Sequence, residues 1–102
     1  MQGHELRRSE DVAVERREVV FRGMVQGVGF RYTARAIARN HSVAGYVRNL
    51  PDGRVQLVVE GAAAEIEGYL DRLRHQMADY IAEVVETPEP PTGEFDAFEV
   101  RF

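Results

Sequence analysis

The chain has 102 residues, 44% hydrophobic and 29% charged, enough for one domain with its own core and too few for two. With 17 Asp and Glu against 13 Lys and Arg its formal net charge is −4, which argues against nucleic acid as a partner, since phosphate backbones need a basic face. It has no cysteine, which excludes disulfides, thiolate metal sites and thiol catalysis.

Residues 1–16 mix Arg, Glu and Asp with few large apolar groups. Such a segment buries too little surface to offset its ordering entropy and reads as a flexible tail; the alternative is a short amphipathic helix laid on the domain. It has no apolar core of a secretory signal, and no run in the chain is long enough for a membrane span, so a cytoplasmic location without membrane contact is expected. The domain is expected over 17–102.

The run EVVFRGMV (18–25) then alternates. Val19, Phe21 and Val25 share one face, and Glu18, Arg22 and Met24 the other, the pattern of a strand with one buried side. A glycine-rich loop follows, within GMVQGVGFRY (23–32). From Phe30 the period lengthens: Phe30, Ala34, Ile37 and Ala38 form one stripe of a three-turn amphipathic helix, with Arg35 and Arg39 turned away. That helix is expected to end near Asn40 and His41 in a left-handed cap. A second strand is expected over 43–49, then a turn at NLPDG and a third strand with Val55, Leu57 and Val59 facing in. A second helix aligns Ile66, Leu70, Leu73 and Met77. A fourth strand is expected over 80–86, TPEPPTG (87–93) reads as a proline-rich loop, and FEVRF (98–102) closes the chain as a short alternating strand.

The order β-α-β-β-α-β predicts an α+β fold, a ferredoxin-like α/β sandwich with two helices on one face of an antiparallel sheet of four to five strands. In that topology the first two long strands run the same way with a third slotted between them. The loop after the first strand then lies near Arg48 and Asn49, which close the second.

The loop itself suits an anion. Gly23, Gly27 and Gly29 allow backbone N–H groups to converge, and the loop feeds a helix N-terminus, where unpaired N–H groups and the helix dipole favour negative charge. Arg31 adds a flat fork of donors matched to phosphate oxygens. A plain glycine connection with a solvated arginine is the competing reading. There is neither a GxxxxGK[ST] P-loop nor a GxGxxG dinucleotide fingerprint.

GMVQGVGFR (23–31) and GYVRNLPDGRVQLVVEG (45–61) together closely resemble the acylphosphatase family, and the likeness runs from about Glu18 to Phe102. The resemblance implies hydrolysis of the carboxyl–phosphate bond of small acyl phosphates by a monomer, with no metal or cofactor. It implies that Arg31 binds the phosphoryl oxygens, or inorganic phosphate or sulfate in their place, together with loop N–H groups over Gln26, Gly27, Val28, Gly29 and Phe30. It also implies that Asn49 orients the attacking water. Two alternatives share the anion cradle: a non-catalytic phosphate-binding module, and a carbamoyl-phosphate-handling domain like that of hydrogenase-maturation carbamoyltransferases.

Other residues read as structural. His4, His41 and His75 lie outside the motifs, and their spacing fits no metal site. Arg22 and Arg48 flank the expected pocket, and Arg48 is equally suited to tuning substrate approach or to a plain strand surface. Tyr32 and Tyr46 could line the site or pack, with Tyr46 the better candidate for packing. Strand three, RVQLVVE, carries none of the stacking aromatics of an RNA-recognition motif.

Overall fold

In a computed structural model the described residues are 13–102. The elements are strand β1 (Val14–Gly23), helix α1 (Phe30–Ala38), strands β2 (Val43–Asn49) and β3 (Val55–Ala62), helix α2 (Ala63–Gln76), a single 3-10 turn (Ala78–Tyr80), and strands β4 (Ile81–Glu89) and β5 (Phe98–Arg101). They form one five-stranded sheet in the order β4-β1-β3-β2-β5, the ferredoxin-like arrangement. Among the described residues no helix is long and apolar enough to cross a membrane.

The core lies between the helices and one face of the sheet. Val19 and Phe21 of β1, Val47 of β2 and Val55, Leu57 and Val59 of β3 meet Phe30, Ala34 and Ile37 of α1 and Ile66, Leu70 and Leu73 of α2. The period-2 and period-3.6 stripes thus close on each other, and each large side chain so buried contributes about 1.5–3 kcal/mol. Tyr69 joins them, fully buried, with its hydroxyl donating to the Ala34 carbonyl at 3.0 Å across the two helices. That bond satisfies the one polar atom a buried tyrosine brings, and burial pushes its pKa up.

Four details depart from the sequence reading. β1 starts at Val14, so residues 14–16 belong to the sheet rather than to a tail; Ala13 directly precedes it, and residues 1–12 of the expected tail lie outside the described residues. The last strand β5 pairs with β2 in parallel, which makes the sheet mixed rather than antiparallel. α1 ends without a left-handed residue: Arg39, Asn40 and His41 donate to carbonyls three residues back, tightening the last turn instead. β4 runs on through Thr87 and Pro88 to Glu89, and an edge strand tolerates the missing proline donor on its open side.

The segment after β4 is tied to the opposite face of the sheet by Glu60 on β3. Its carboxylate accepts from the N–H groups of Thr92 at 2.8 Å and Gly93 at 3.0 Å and from Arg16 Nη1 at 3.0 Å. Burial alone would raise the Glu60 pKa, but the Thr92 N–H, the Arg16 guanidinium and the Gly93 N–H hold it below the usual range. A depressed carboxylate stabilises above its unfolded pKa, so this tether weakens as pH falls through and below the ordinary carboxylate range.

Gly45, buried in β2, has a φ of +147°, and a Cβ there would run into the carbonyl oxygen of Val58 on the neighbouring strand. Its own N–H donates to Ala97 at 3.0 Å, just before β5, so the backbone is held from both sides. Gly45→Ala is expected to destabilise the fold by about 3 kcal/mol through overpacking against rigid backbone. Urea unfolding reads this directly; a loss below about 1 kcal/mol would mean that the β2–β3 contact yields.

Candidate active site

Register brings the site together. Phe21 on β1 pairs with Val55 on β3, and Val55 pairs with Asn49 on β2, so the three positions lie level across the sheet. The loop leaving β1 and the last residue of β2 therefore share one rim, as the topology predicted. Val25, Gly27, Gly29, Phe30, Arg31, Tyr32 and Asn49 line a single cavity there of about 260 Å³. The lining carries one cation and no carboxylate.

The loop is held from several directions. Val25 is fully buried, and the rings of Phe21 and Phe30 meet at a centroid distance of 4.9 Å, so the segments on either side of the loop are anchored in one core. The Met24 N–H donates to the Tyr80 carbonyl at 2.9 Å. Gln26 reaches across with its side-chain amide and donates to the carbonyls of Leu50 at 2.8 Å and Arg54 at 2.9 Å. That fork fastens the loop to the β2–β3 turn, next to Asn49.

Gly27 and Gly29 have φ values of +80° and +78°, in the left-handed region that other residues enter at a cost of about 1–2 kcal/mol. Gly29 is also the N-cap of α1, with no side-chain cap and no acid in the first turn. The first N–H of this region to find a carbonyl is that of Thr33, which donates to Gly29 at 2.9 Å. Among the described residues the N–H groups from Gln26 to Tyr32 have no acceptor. Unpaired donors at a helix N-terminus make an anion site where they converge on a cavity.

Arg31 is half-buried, and no carboxylate pairs with it among the described residues. Its Nη1 donates to the Arg101 carbonyl at 3.1 Å, and its guanidinium carbon lies 4.7 Å from the centroid of the Phe102 ring. One donor and one face are thus occupied by the chain end, fixing the guanidinium while leaving other N–H groups free. Asn49 is half-buried at the end of β2, and among the described residues its carboxamide makes no hydrogen bond. It brings a free donor and a free acceptor to the cavity.

The expected site residues separate into two groups. Gly27, Gly29, Phe30, Arg31 and Asn49 line the cavity, whereas Gln26 and Val28 do not: the Gln26 side chain serves the loop's attachment, and Val28 is exposed. Tyr32 lines the cavity, while Tyr46 packs on the opposite face against Phe95 and under the Arg101 guanidinium. The contacts of Arg101 and Phe102 with Arg31 lay beyond sequence reasoning, because only the parallel β2–β5 pairing carries the chain end to this rim. Arg22 pairs with Glu83, and Arg48 donates to Gln56 at 2.7 Å; neither lines the cavity. Among the described residues no three of His, Asp and Glu converge as metal ligands would.

The fold recurs in known proteins. The acylphosphatase family model matches residues 17–100. An acylphosphatase of Acaryochloris marina is 39% identical over 83 residues, which span 81% of this chain and 89% of that protein. The crystal structure of an acylphosphatase from Bacillus subtilis superposes with a TM-score of 0.75 at 25% identity, covering 88% of this chain and 100% of that one. HypF of T. kodakarensis contains a similar unit at 31% identity and a TM-score of 0.75, covering 86% of this chain but only 12% of that one. The matched span carries both the glycine loop and the Asn49 rim, and the chain belongs to the acylphosphatase family.

Proposed function

We propose that this chain hydrolyses acyl phosphates with the phosphoryl group seated among the loop N–H groups and Arg31, and with water positioned by Asn49. As a member of its family the chain is an enzyme acting on small acyl phosphates. The residue roles are supported by one observation above others: a run of unpaired N–H groups, one guanidinium and one unpartnered carboxamide belong to the same small cavity.

The chemistry asks for little more. Water oxygen attacks phosphorus, the bond from phosphorus to the acyl oxygen breaks, and its electron pair leaves on a carboxylate that is stable as an anion near neutral pH. No strong general acid is required. The attacking water's proton passes to the phosphate, since a neutral carboxamide is a poor base. What remains is positioning and charge stabilisation, on which phosphoryl transfer chiefly rests. Arg31 and the amides follow the negative charge on the phosphoryl oxygens, and the Asn49 carbonyl accepts from water while its NH₂ donates to phosphate. A monomer in the cytoplasm fits this reading, since a chain without cysteine draws nothing from an oxidising compartment.

Hydrolysis of acetyl and benzoyl phosphate in the presence of EDTA tests this reading. Turnover that survives chelation is expected. Binding of inorganic phosphate without turnover would instead favour a non-catalytic binding module, and a metal requirement would overturn the mechanism.

A further inference from the structure

A second cationic cleft lies beside the first. Arg35, Ala38, Arg39, His41, Val43, Ala97 and Phe98 line a cavity of about 330 Å³ at the α1–β5 side of the molecule. Its lining holds two arginines and a histidine and no acid. Glu65, the acid facing His41, lies 3.8 Å from its Nδ1 and already accepts from the Ser42 N–H at 2.8 Å.

Arg35 connects the two cavities. Its guanidinium carbon sits 5.4 Å from the centroid of the Tyr32 ring, and Tyr32 lines the first cavity. Long helical side chains lean toward the N-terminus, which carries the Arg35 charge toward the glycine loop. Arg31 and Arg35 on α1 and Arg39 at its C-cap are spaced by four residues, so they follow one side of the helix with about 6 Å of rise between neighbours. Elsewhere among the described residues Arg16, Arg17, Arg22, Arg54, Arg74 and Arg101 have carboxylate partners, while Arg48 and Arg72 have none but line neither cavity. Among the described residues Arg35 and Arg39 have none.

A row of uncompensated guanidiniums beginning at the phosphoryl cradle matches a ligand with two anionic groups a helical turn apart. We propose that Arg35, backed by Arg39, forms a second anion subsite that receives a phosphate or carboxylate on the acyl part of the substrate. The enzyme is then selective for acyl phosphates with a second negative group over those with a neutral acyl body. This rests on the phosphoryl-binding reading of the first cavity. An acyl phosphate whose phosphoryl group sits by Arg31 extends its acyl body past Tyr32 to Arg35, where flat bidentate donors meet carboxylate or phosphate oxygens.

The test is the ratio of kcat/KM for 1,3-bisphosphoglycerate and succinyl phosphate to that for acetyl phosphate, in the unaltered chain and in Arg35→Ala and Arg39→Glu. In the unaltered chain both anionic substrates are expected to exceed acetyl phosphate. Arg35→Ala should lower the ratio about tenfold, mainly through KM, and Arg39→Glu, at an exposed position, should lower it in the same direction. A larger fall for 1,3-bisphosphoglycerate identifies phosphate as the preferred group, and a larger fall for succinyl phosphate identifies carboxylate. Ratios within twofold of the unaltered chain in both variants would overturn the subsite while leaving the first cavity's role intact. No turnover of any of the three substrates by the unaltered chain would end the phosphoryl-binding reading, and the subsite with it.

Discussion

Arg31→Ala is expected to reduce kcat/KM for acetyl phosphate by about 10³-fold or more, the range over which a single arginine acts on a phosphoryl transition state. The guanidinium is the one formal charge in the cavity lining, and no carboxylate competes for it among the described residues. Affinity for inorganic phosphate should fall as well, because the charge is present in the ground state too. Arg31→Lys should recover only part of the loss. Lysine keeps the charge but gives up the fork, and with it the simultaneous reach to the Arg101 carbonyl and the stack on Phe102. A fall of less than tenfold in Arg31→Ala would show that the loop amides carry the phosphoryl charge without it.

Asn49→Ala is expected to act on a different quantity. Its kcat should drop about 10²-fold, as for loss of one preorganised donor, while the dissociation constant for inorganic phosphate stays within about threefold. The fold should not suffer, since the Asn49 side chain makes no hydrogen bond among the described residues and its backbone pairing with Val55 does not depend on side-chain identity. Unchanged thermal unfolding alongside the lost turnover would separate a chemical role from a structural one. Near-normal kcat would remove Asn49 from the mechanism and leave water to be placed by phosphate and the loop alone.

The parts legible in the sequence were those fixed by period and by local backbone chemistry. Val19 with Phe21, the stripe Phe30, Ala34, Ile37 and Ala38, and the alternation Val55, Leu57, Val59 all lie where their spacing put them, in one core. Gly27 and Gly29 take the positive φ values that the loop was expected to need. Chain order and strand direction alone bring Arg31 and Asn49 toward one rim, because they leave few ways to arrange two such units.

What escaped the sequence depended on pairing at a distance. Nothing local in FEVRF says that it joins β2 in parallel, yet that pairing delivers the Arg101 carbonyl and the Phe102 ring to Arg31. Gln26 reads as one more loop position; only the closeness of Leu50 and Arg54 turns its side chain into a fastening. Tyr69 sits within a helical stripe already filled by Ile66, Leu70 and Leu73, and its burial depends on a carbonyl of the other helix, Ala34. TPEPPTG reads as a proline-rich loop from composition alone, yet Pro88 sits within β4, which is an edge strand and tolerates the missing N–H.

Titration of the 15N-labelled chain with inorganic phosphate, followed by amide NMR, bears most directly on how the phosphoryl group is held. Saturable shifts are expected at the amides of Gly27, Gly29, Phe30 and Arg31 and at the Asn49 side-chain NH₂, all with one dissociation constant and all abolished in Arg31→Ala. Saturable binding that left these amides unmoved, or shifts confined to another part of the surface, would contradict it.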